Sequence, residues 1–360
     1  MSNFRLAYKK ATSNIPQLLG LILLLIVGAG FYITLFTISM RYEETAEQYF
    51  IDHAYADIAL QGAFNEESIQ FVSELDGIVL AQGRNVRDFR ENERIFRAIS
   101  LTDSINIPFI YDGRFPENES EIMILNRNAE AMGFGLGDFL IIENRNLEIV
   151  GLAASPEYIY LVQNEWNRMA QAGIFGVIFV TENFFEFEQD KFNEIVILTH
   201  NADEIPVIEF AEIPGISRII MQNEQANYNL FRDDLGQIRS FALIFPLVFV
   251  ILIAVVIYVM LTRIIQKDRK QIGIIKALGV SDTKIIGIYL AQFCFAAPFG
   301  VLLGGVAAVF LTDFIIDIFS SMFEVPMLGF VFYPNLWIIA VVISLLLCAA
   351  SGLEPVHTTA

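Results

Sequence analysis

Four apolar runs and one alternating region divide this chain. Leu18–Ser39 is a 22-residue run without a charge, enough for a helix across a hydrocarbon core that needs about 20 residues. Phe241–Leu261 and Ile285–Leu311 are similar, and a fourth run begins near Phe332, with only fifteen residues from Leu336 to Ala350. Between the first two runs the pattern changes to short stretches of β-formers bounded by turn residues. These predict strands at Asp57–Gln61, Ile78–Gln82, Arg94–Leu101, Glu121–Leu125, Phe139–Glu143, Leu147–Ala153, Gly176–Val180 and Ile195–Thr199. Glu66–Leu75 and Asn164–Ala172 have helical patterning, and Asn65 is placed to cap the first. The mixture predicts an α+β domain of one or two lobes over Ala56 to about Pro214. On its near side Tyr42, Ala46, Tyr49 and His53 recur at helical steps, so the first helix continues past its apolar run. On its far side a polar helix from about Met221, with Gln225, Tyr228, Phe231 and Leu235 on one side, leads into the second run.

Charge gives these runs a direction. Arg263–Lys284, between the second and third runs, holds six basic residues (Arg263, Lys267, Arg269, Lys270, Lys276 and Lys284) against Asp268 and Asp282. Basic residues crowded beside membrane spans mark the cytoplasmic side. Within this island Ile272, Ile275, Leu278 and Gly279 follow helical spacing, giving one apolar and one basic face. Gly279 sits where that helix ends, and Ser281 is placed to cap the next. A helix, a tight corner and a second helix at a membrane surface form a docking surface and not a catalytic site. Arg5, Lys9 and Lys10 precede the first run. That run is long for a signal peptide and no small-x-small cleavage site follows it, so it reads as an uncleaved span with its N-terminus inside.

The predicted fold class is therefore an α-helical membrane protein with four transmembrane helices and a large α+β extracytoplasmic domain inserted between helices 1 and 2. The expected layout is a cytoplasmic lead (1–15), helix 1 (16–39), the extracytoplasmic domain with helical stalks (40–236), helix 2 (237–264), a cytoplasmic segment (265–284), helix 3 (285–312), an outer loop (313–331), helix 4 (332–351) and a cytoplasmic tail (352–360). Pro246 and Pro298 fall within the second and third runs. Ala296, Gly300 and Gly304 fall every fourth residue, a small-residue stripe suited to close helix packing, within one subunit or between two. Asp313, Asp317 and Glu324 fall at the outer end of the third run, and Tyr333 and Trp337 suit an interfacial belt.

Composition excludes several functions. The chain is 55% apolar with mean hydropathy +0.52, too hydrophobic for a simple soluble domain. Residues 41–238 carry 35 acidic against 13 basic side chains, a formal charge of −22, which disfavours nucleic acid as a partner. Cys294 and Cys348 lie in apolar runs, His53, His200 and His357 are scattered, and no Cys/His spacing suits a metal. Gly133, Gly135 and Gly137 lack the dinucleotide spacing and read as a turn before a strand. Ser155 has no nucleophile elbow around it. Phe184–Phe187 reads as a turn covering core, and Asn118–Ser120 is a three-residue glycosylation match. No catalytic, cofactor or metal residue is named. No G-x-x-x-x-G-K-[ST] loop occurs, so the chain has no ATPase site of that type, and no apolar run carries a mid-span charge of the kind that marks ion paths.

The string IGIIKALGVSDTKI, placed between the second and third runs, resembles the cytoplasmic signature of FtsX/MacB-type ABC transporter permeases, typically E-I-G-I-L-[RK]-A-L-G-A-[ST]. Gln271 stands where the family usually has Glu. EIMILNRNAEAMGFGLGDFLII and the following LEIVGLAASPEYIYL resemble, more loosely, the extracytoplasmic core of such permeases: a strand, a short helix, a Gly-Asp turn and a further strand. The chain departs from the family at its end, where Leu353-Glu354-Pro355-Val356 lacks the usual basic residues. That departure fits either a truncated chain or half of a double-length permease. The resemblance implies a permease subunit that is not itself an enzyme, working with a cytosolic ABC ATPase and a second permease subunit in a prokaryotic plasma membrane. It assigns ATPase coupling to Gln271, Ile272, Gly273, Ile274, Ile275, Lys276, Ala277, Leu278 and Gly279. Membrane lipid and an extracytoplasmic adaptor or substrate protein are the further partners it suggests. The alternative is an FtsX-like interaction protein that transports nothing and recruits an extracytoplasmic cell-wall hydrolase.

Overall fold

The computed structural model describes residues 15–163, 172–185, 191–201, 210, 213–320, 324–326 and 331–350. In chain order its helices are α1 (Ile15–Asp52), α2 (Glu66–Ser73), α3 (Asn126–Met132), α4 (Ala226–Lys267), α5 (Arg269–Ala277), α6 (Asp282–Ser320) and α7 (Pro334–Ala350). The strands are β1 (Ile58–Phe64), β2 (Ile78–Arg84), β3 (Val86–Glu91), β4 (Arg94–Ser100), β5 (Phe109–Gly113), β6 (Glu121–Leu125), β7 (Phe139–Ile142), β8 (Arg145–Ala154), β9 (Phe175–Val180), β10 (Phe192–Thr199) and β11 (Ile216–Met221). Two units emerge: a helical one, of Met1–Tyr42, Leu235–Asp317 and Gly329–Ala360, and a sheet unit, of Glu43–Asp234 with Ile318–Leu328.

The sheet unit contains two sheets. One is four-stranded and antiparallel in the order β11-β1-β10-β2. The other is seven-stranded, ordered β3-β4-β9-β6-β8-β5 with β7 paired to β8, and has parallel steps at β4–β9 and β6–β8. β9 is buried at all six positions, as a central strand covered on both faces should be. One of its faces packs with Phe96, Ile122, Ile124 and Ile149, the other with Ile99, Met123, Leu125 and Leu161. The four-stranded sheet buries Leu60, Phe192, Ile195 and Ile197 with Val72 of α2. That helix starts as expected, with Asn65 Oδ1 accepting the Ser68 N–H at 3.0 Å, although it ends at Ser73.

Three strands lie where none is predicted. β3 and β5 are at sheet edges; β3 exposes Arg87, Asp88 and Arg90, so its polar sequence reads as a turn. β11 corrects the expected boundaries. The domain runs beyond Pro214, and the segment at Met221, predicted to begin a polar helix, completes a strand instead. Ile58, Ala59 and Leu60 of β1 pair with Met221, Ile220 and Ile219, a ladder that β-branched residues favour, and α4 starts only at Ala226. The helix predicted at Asn164–Ala172 falls mostly outside the described residues, as do nearly all of the lead 1–15, part of the outer loop 313–331 and the tail 352–360.

Entry and exit from the sheet unit are clasped together. Phe50 near the end of α1 meets Tyr228 and Phe231 of α4, and the Tyr55 hydroxyl donates to Gln225 Oε1 at 2.6 Å. His53 is packed by Tyr49 and Phe109, with Nδ1 2.7 Å from the Ile107 carbonyl oxygen, a helix residue and not a ligand. The segment after α6 also joins this unit. Glu324 and Val325 are 8% and 7% exposed, and the Glu324 N–H donates to the Ile159 carbonyl at 2.8 Å.

Among the described residues, three helices are long and apolar enough to cross a membrane: α1 from Leu18, α4, and α6 over Phe293–Phe319. α7 has 17 residues and is shorter than the other three. Leu21 and Leu25 of α1, Ile253 and Ile257 of α4, Phe293 and Ala297 of α6 and Cys348 of α7 share one buried cluster. Ala296 is buried. Gly300 and Gly304 lie against α1 of the same chain. A Cβ on Gly300 would come 2.6 Å from Leu25 Cβ, and one on Gly304 2.7 Å from the Ile26 carbonyl oxygen, closer than real atoms approach.

Two predictions follow from this packing. Gly304→Leu forces α1 and α6 apart, and the purified protein should lose about 1–3 kcal/mol of stability, read as a lowered melting midpoint in detergent; an unchanged midpoint contradicts the close approach. Burial lifts the Glu324 carboxyl from 4.5 to about 8, with Arg127 opposing the shift. A carboxyl whose folded pKa is raised gives stability that is full at acid pH and is lost as pH climbs to that pKa. Wild type should therefore fall behind Glu324→Gln progressively between pH 4.5 and about 8, then hold a constant gap. Parallel thermal curves across that range would show that the carboxyl does not titrate there.

Candidate coupling site

The island is built by two helix terminations ten residues apart, at Lys267 and Ala277. α4 ends at Lys267, and the Asp268 N–H still donates to the Ile264 carbonyl at 2.9 Å. α5 restarts at once, with the Ile272 N–H donating to the Asp268 carbonyl at 2.9 Å. It stops where Gly279 adopts φ +81°, a left-handed conformation that costs glycine nothing and closes a helix end. The Gly279 N–H donates to the Lys276 carbonyl at 2.9 Å, and on the next helix the Ile285 N–H donates to the Ser281 carbonyl at 3.2 Å. The helix–corner–helix form expected for this stretch is present, with Ser281 immediately before α6.

The nine candidate residues divide by what their side chains face. Ile272, with Val280 beyond the corner, packs against the buried cluster of the helical unit. That contact seats α5, so Ile272 is turned away from solvent. Ile274 and Leu278 point the other way and are 64% and 78% exposed. Four residues apart, they stand on one helical face as neighbours. Gln271, Gly273, Lys276, Ala277 and Gly279 are also exposed, and so are Arg263, Lys267, Arg269 and Lys270 around them. The side chain of Ile275 lies outside the described residues. The predicted apolar face is thus split: Ile272 anchors the segment, and Ile274 with Leu278 forms the presented pair. The sequence hides this because a period of 3.6 permits either set; the neighbouring helices decide which is covered. An exposed aliphatic pair on a short segment rich in exposed cations is a poor surface to leave against water.

Residues that mimic chemistry elsewhere have structural roles. Ser155 is fully buried and its Oγ accepts the Glu157 N–H at 3.3 Å, capping a short turn. The glycine run forms the expected strand–helix–turn–strand unit: β6, α3, then Gly135 N–H donating to Asp138 Oδ2 at 2.8 Å before β7. Phe184 and Phe185 are buried core residues; the last two residues of that motif lie outside the described set. Among the described residues no group of His, Cys, Asp or Glu is arranged to hold a metal ion. Sequence reasoning missed the burial of Glu324 and of the Arg84, Glu157 and Glu194 side chains, because nothing in a one-dimensional pattern marks which charged residues will meet.

Residues 243–358 match the model of the family described as FtsX-like permease C-terminal. No curated protein matches this sequence. Among solved structures, the extracellular domain of the noncanonic ABC-type transporter YknZ from Gram-positive bacteria aligns over 50% of this chain and 95% of its own, with 14% identity and a TM-score of 0.29. The periplasmic region of MacB from Actinobacillus actinomycetemcomitans aligns over 50% and 91%, with 8% identity and a TM-score of 0.29.

The division of the island is checked by cysteine labelling. Ile274→Cys and Leu278→Cys should react with a bulky maleimide at least about tenfold faster than Ile272→Cys, whose position is held by packing. Equal rates at all three positions would contradict the assignment of faces.

Proposed function

From the FtsX-like permease C-terminal domain carried by residues 243–358, we propose that this protein is the membrane subunit of an ABC system, coupled through α5 to an ATPase on a separate chain. The observation that carries the reading is the exposed Ile274–Leu278 pair, set among Arg263, Lys267, Arg269 and Lys270 at a corner between two long apolar helices. A partner that presses on this pair moves α4 and α6 together, because α5 is joined to one by Asp268 and to the other by Gly279 and Val280. Nucleotide then biases a two-state element, which is the physical content of coupling. The chain itself supplies no ATP chemistry.

The topology belongs to the same proposal. The basic island faces the cytoplasm, the N-terminus lies on that side, and the sheet unit lies outside. We assign α7 as the fourth span, since its 17 residues fall at the short end of the ~17–25 that suffice. The outer domain is then approximately residues 40–236, bounded by α1 and α4 as stalks. A second permease subunit completes the assembly, and the work done outside is export, extraction or switching of an extracytoplasmic protein. The recruited-hydrolase alternative uses the same coupling segment and differs only in what the sheet unit grips.

The test is copurification with the candidate ATPase in detergent. Wild type should retain it, Ile274→Asp and Leu278→Asp should each weaken retention by about tenfold or more by burying a charge in an apolar contact, and exposed Glu74→Gln should have no effect. Retention that is unchanged in both Asp variants overturns the proposed docking face, and absence of any ATPase from wild type overturns the reading of the subunit.

A further inference from the structure

The sheet unit holds a cleft of about 590 Å³ between its two sheets, lined from β1, β2, β10 and β11 on one side and from β3, β4 and the turn after β8 on the other. That volume lies within the range of small-ligand sites. Its buried end is built of charge. Arg84, on the four-stranded sheet, is 4% exposed; Glu194 beside it is 6% and Glu157, in the turn that follows β8 of the other sheet, 8%. Arg84 Nη1 and Nη2 donate to the two Glu157 oxygens at 2.8 and 2.5 Å, and its Nε donates to Glu194 Oε2 at 2.6 Å. Gln61 Nε2 donates to Glu194 Oε1 at 3.2 Å. Two carboxylates thus share one guanidinium, which leaves a buried negative charge that the protein's own cation does not balance. Uncompensated buried charge is costly.

The rest of the lining points the same way. Arg97 is engaged by Asp88 through two bonds of 2.7 and 2.9 Å and also donates to the Tyr158 hydroxyl and the Gln163 carbonyl, so an anion entering would have to displace a carboxylate. Counting Arg218 and Glu224 at the mouth, the lining carries three guanidiniums against four carboxylates, again one negative charge in excess. The surrounding region, residues 41–238, carries a formal charge of −22, which raises the local concentration of cations. The remaining wall alternates neutral polar groups, Gln225, Asn227 and Ser217 among them, with aliphatic ones, Val86, Ile99 and Ile220 among them, a mixed surface that suits peptide groups and the methylene stem of a long basic side chain.

We propose that this inter-sheet cleft binds a basic side chain of an extended polypeptide, seating an ammonium or guanidinium against Glu157 and Glu194 beside Arg84. The cation supplies the charge that Arg84 alone does not, the aliphatic part of the wall takes its stem, and the polar part takes the flanking backbone. Because binding also joins the two sheets through Glu157 and Glu194, an occupied cleft favours one relative setting of the sheets. The inference is independent of the ATPase reading and is tested on this chain alone.

The experiment is calorimetric titration of the full chain in detergent, at about 0.15 M salt to screen diffuse attraction, with three blocked tripeptides: trilysine, triserine and triglutamate. Trilysine should bind saturably and at least about tenfold more tightly than triserine, with no heat from triglutamate. Glu157→Gln and Glu194→Gln should each weaken trilysine by about tenfold, while Glu74→Gln, an exposed acid on the C-terminal side of α2, leaves it unchanged. Ser217→Trp fills the mouth without touching the ion cluster and should abolish binding even if the glutamine variants fail to fold. The proposal is overturned if folded wild type gives no saturable trilysine binding. It is overturned equally if Glu74→Gln costs as much as Glu194→Gln, which would mean diffuse attraction by an acidic surface, or if Ser217→Trp binds like wild type.

Discussion

An inserted domain must return the chain to where it left, and in this protein that requirement is met by one strand pair. Five residues separate the end of α1 from the start of β1, β11 ends shortly before α4 begins, and the two strands are hydrogen-bonded neighbours, with Ile58 opposite Met221. The aromatic clasp of Phe50, Tyr228 and Phe231 and the Tyr55–Gln225 bond hold the same closure. Closing a loop of this length by fluctuation alone is entropically unfavourable. A paired, packed closure makes the ends of α1 and α4 a single mechanical element, so displacement of either helix end reaches the four-stranded sheet through β1 or β11. The seven-stranded sheet is reached differently, through the Arg84–Glu157 contact and the segment at Glu324, whose backbone is bonded to Ile159.

Much of this was legible in the sequence because the physical signals are long-range in composition and local in geometry. Three uninterrupted apolar runs, the reversal of charge at Arg263–Lys284, the left-handed glycine at 279 and the Asn65 cap all depend on nearby residues alone. Eight of the strands lie close to where β-branched and apolar alternation put them. The failures have a common cause. β3, β5 and β11 are edge strands, half solvated, and their polar positions read as turns or as a helix start. Edge pairing is decided by the partner strand, which the local pattern does not contain.

The candidate site shows the same limit at side-chain scale. Helical spacing located α5 and its corner, yet it grouped Ile272 with Leu278, whereas packing partly covers the first and exposes the second alongside Ile274. The stripe of Ala296, Gly300 and Gly304 was visible as a stripe; that Gly300 and Gly304 receive α1 of the same chain is a fact of three-dimensional packing. The buried Arg84 cluster had no sequence signature, since its members are 37 to 110 residues apart, on β2, on β10 and in the turn after β8.

The central claim is that a push on α5 is felt at the clasped ends of the sheet unit. Hydrogen exchange of the chain in complex with the proposed ATPase, with and without a nonhydrolysable ATP analogue, tests it directly. The account predicts that nucleotide changes protection both in 268–281 and in 43–57 with 222–234, and that the second change disappears when Leu278→Asp is introduced. A nucleotide effect confined to 268–281 in wild type, or one at the clasp that survives Leu278→Asp, would contradict it.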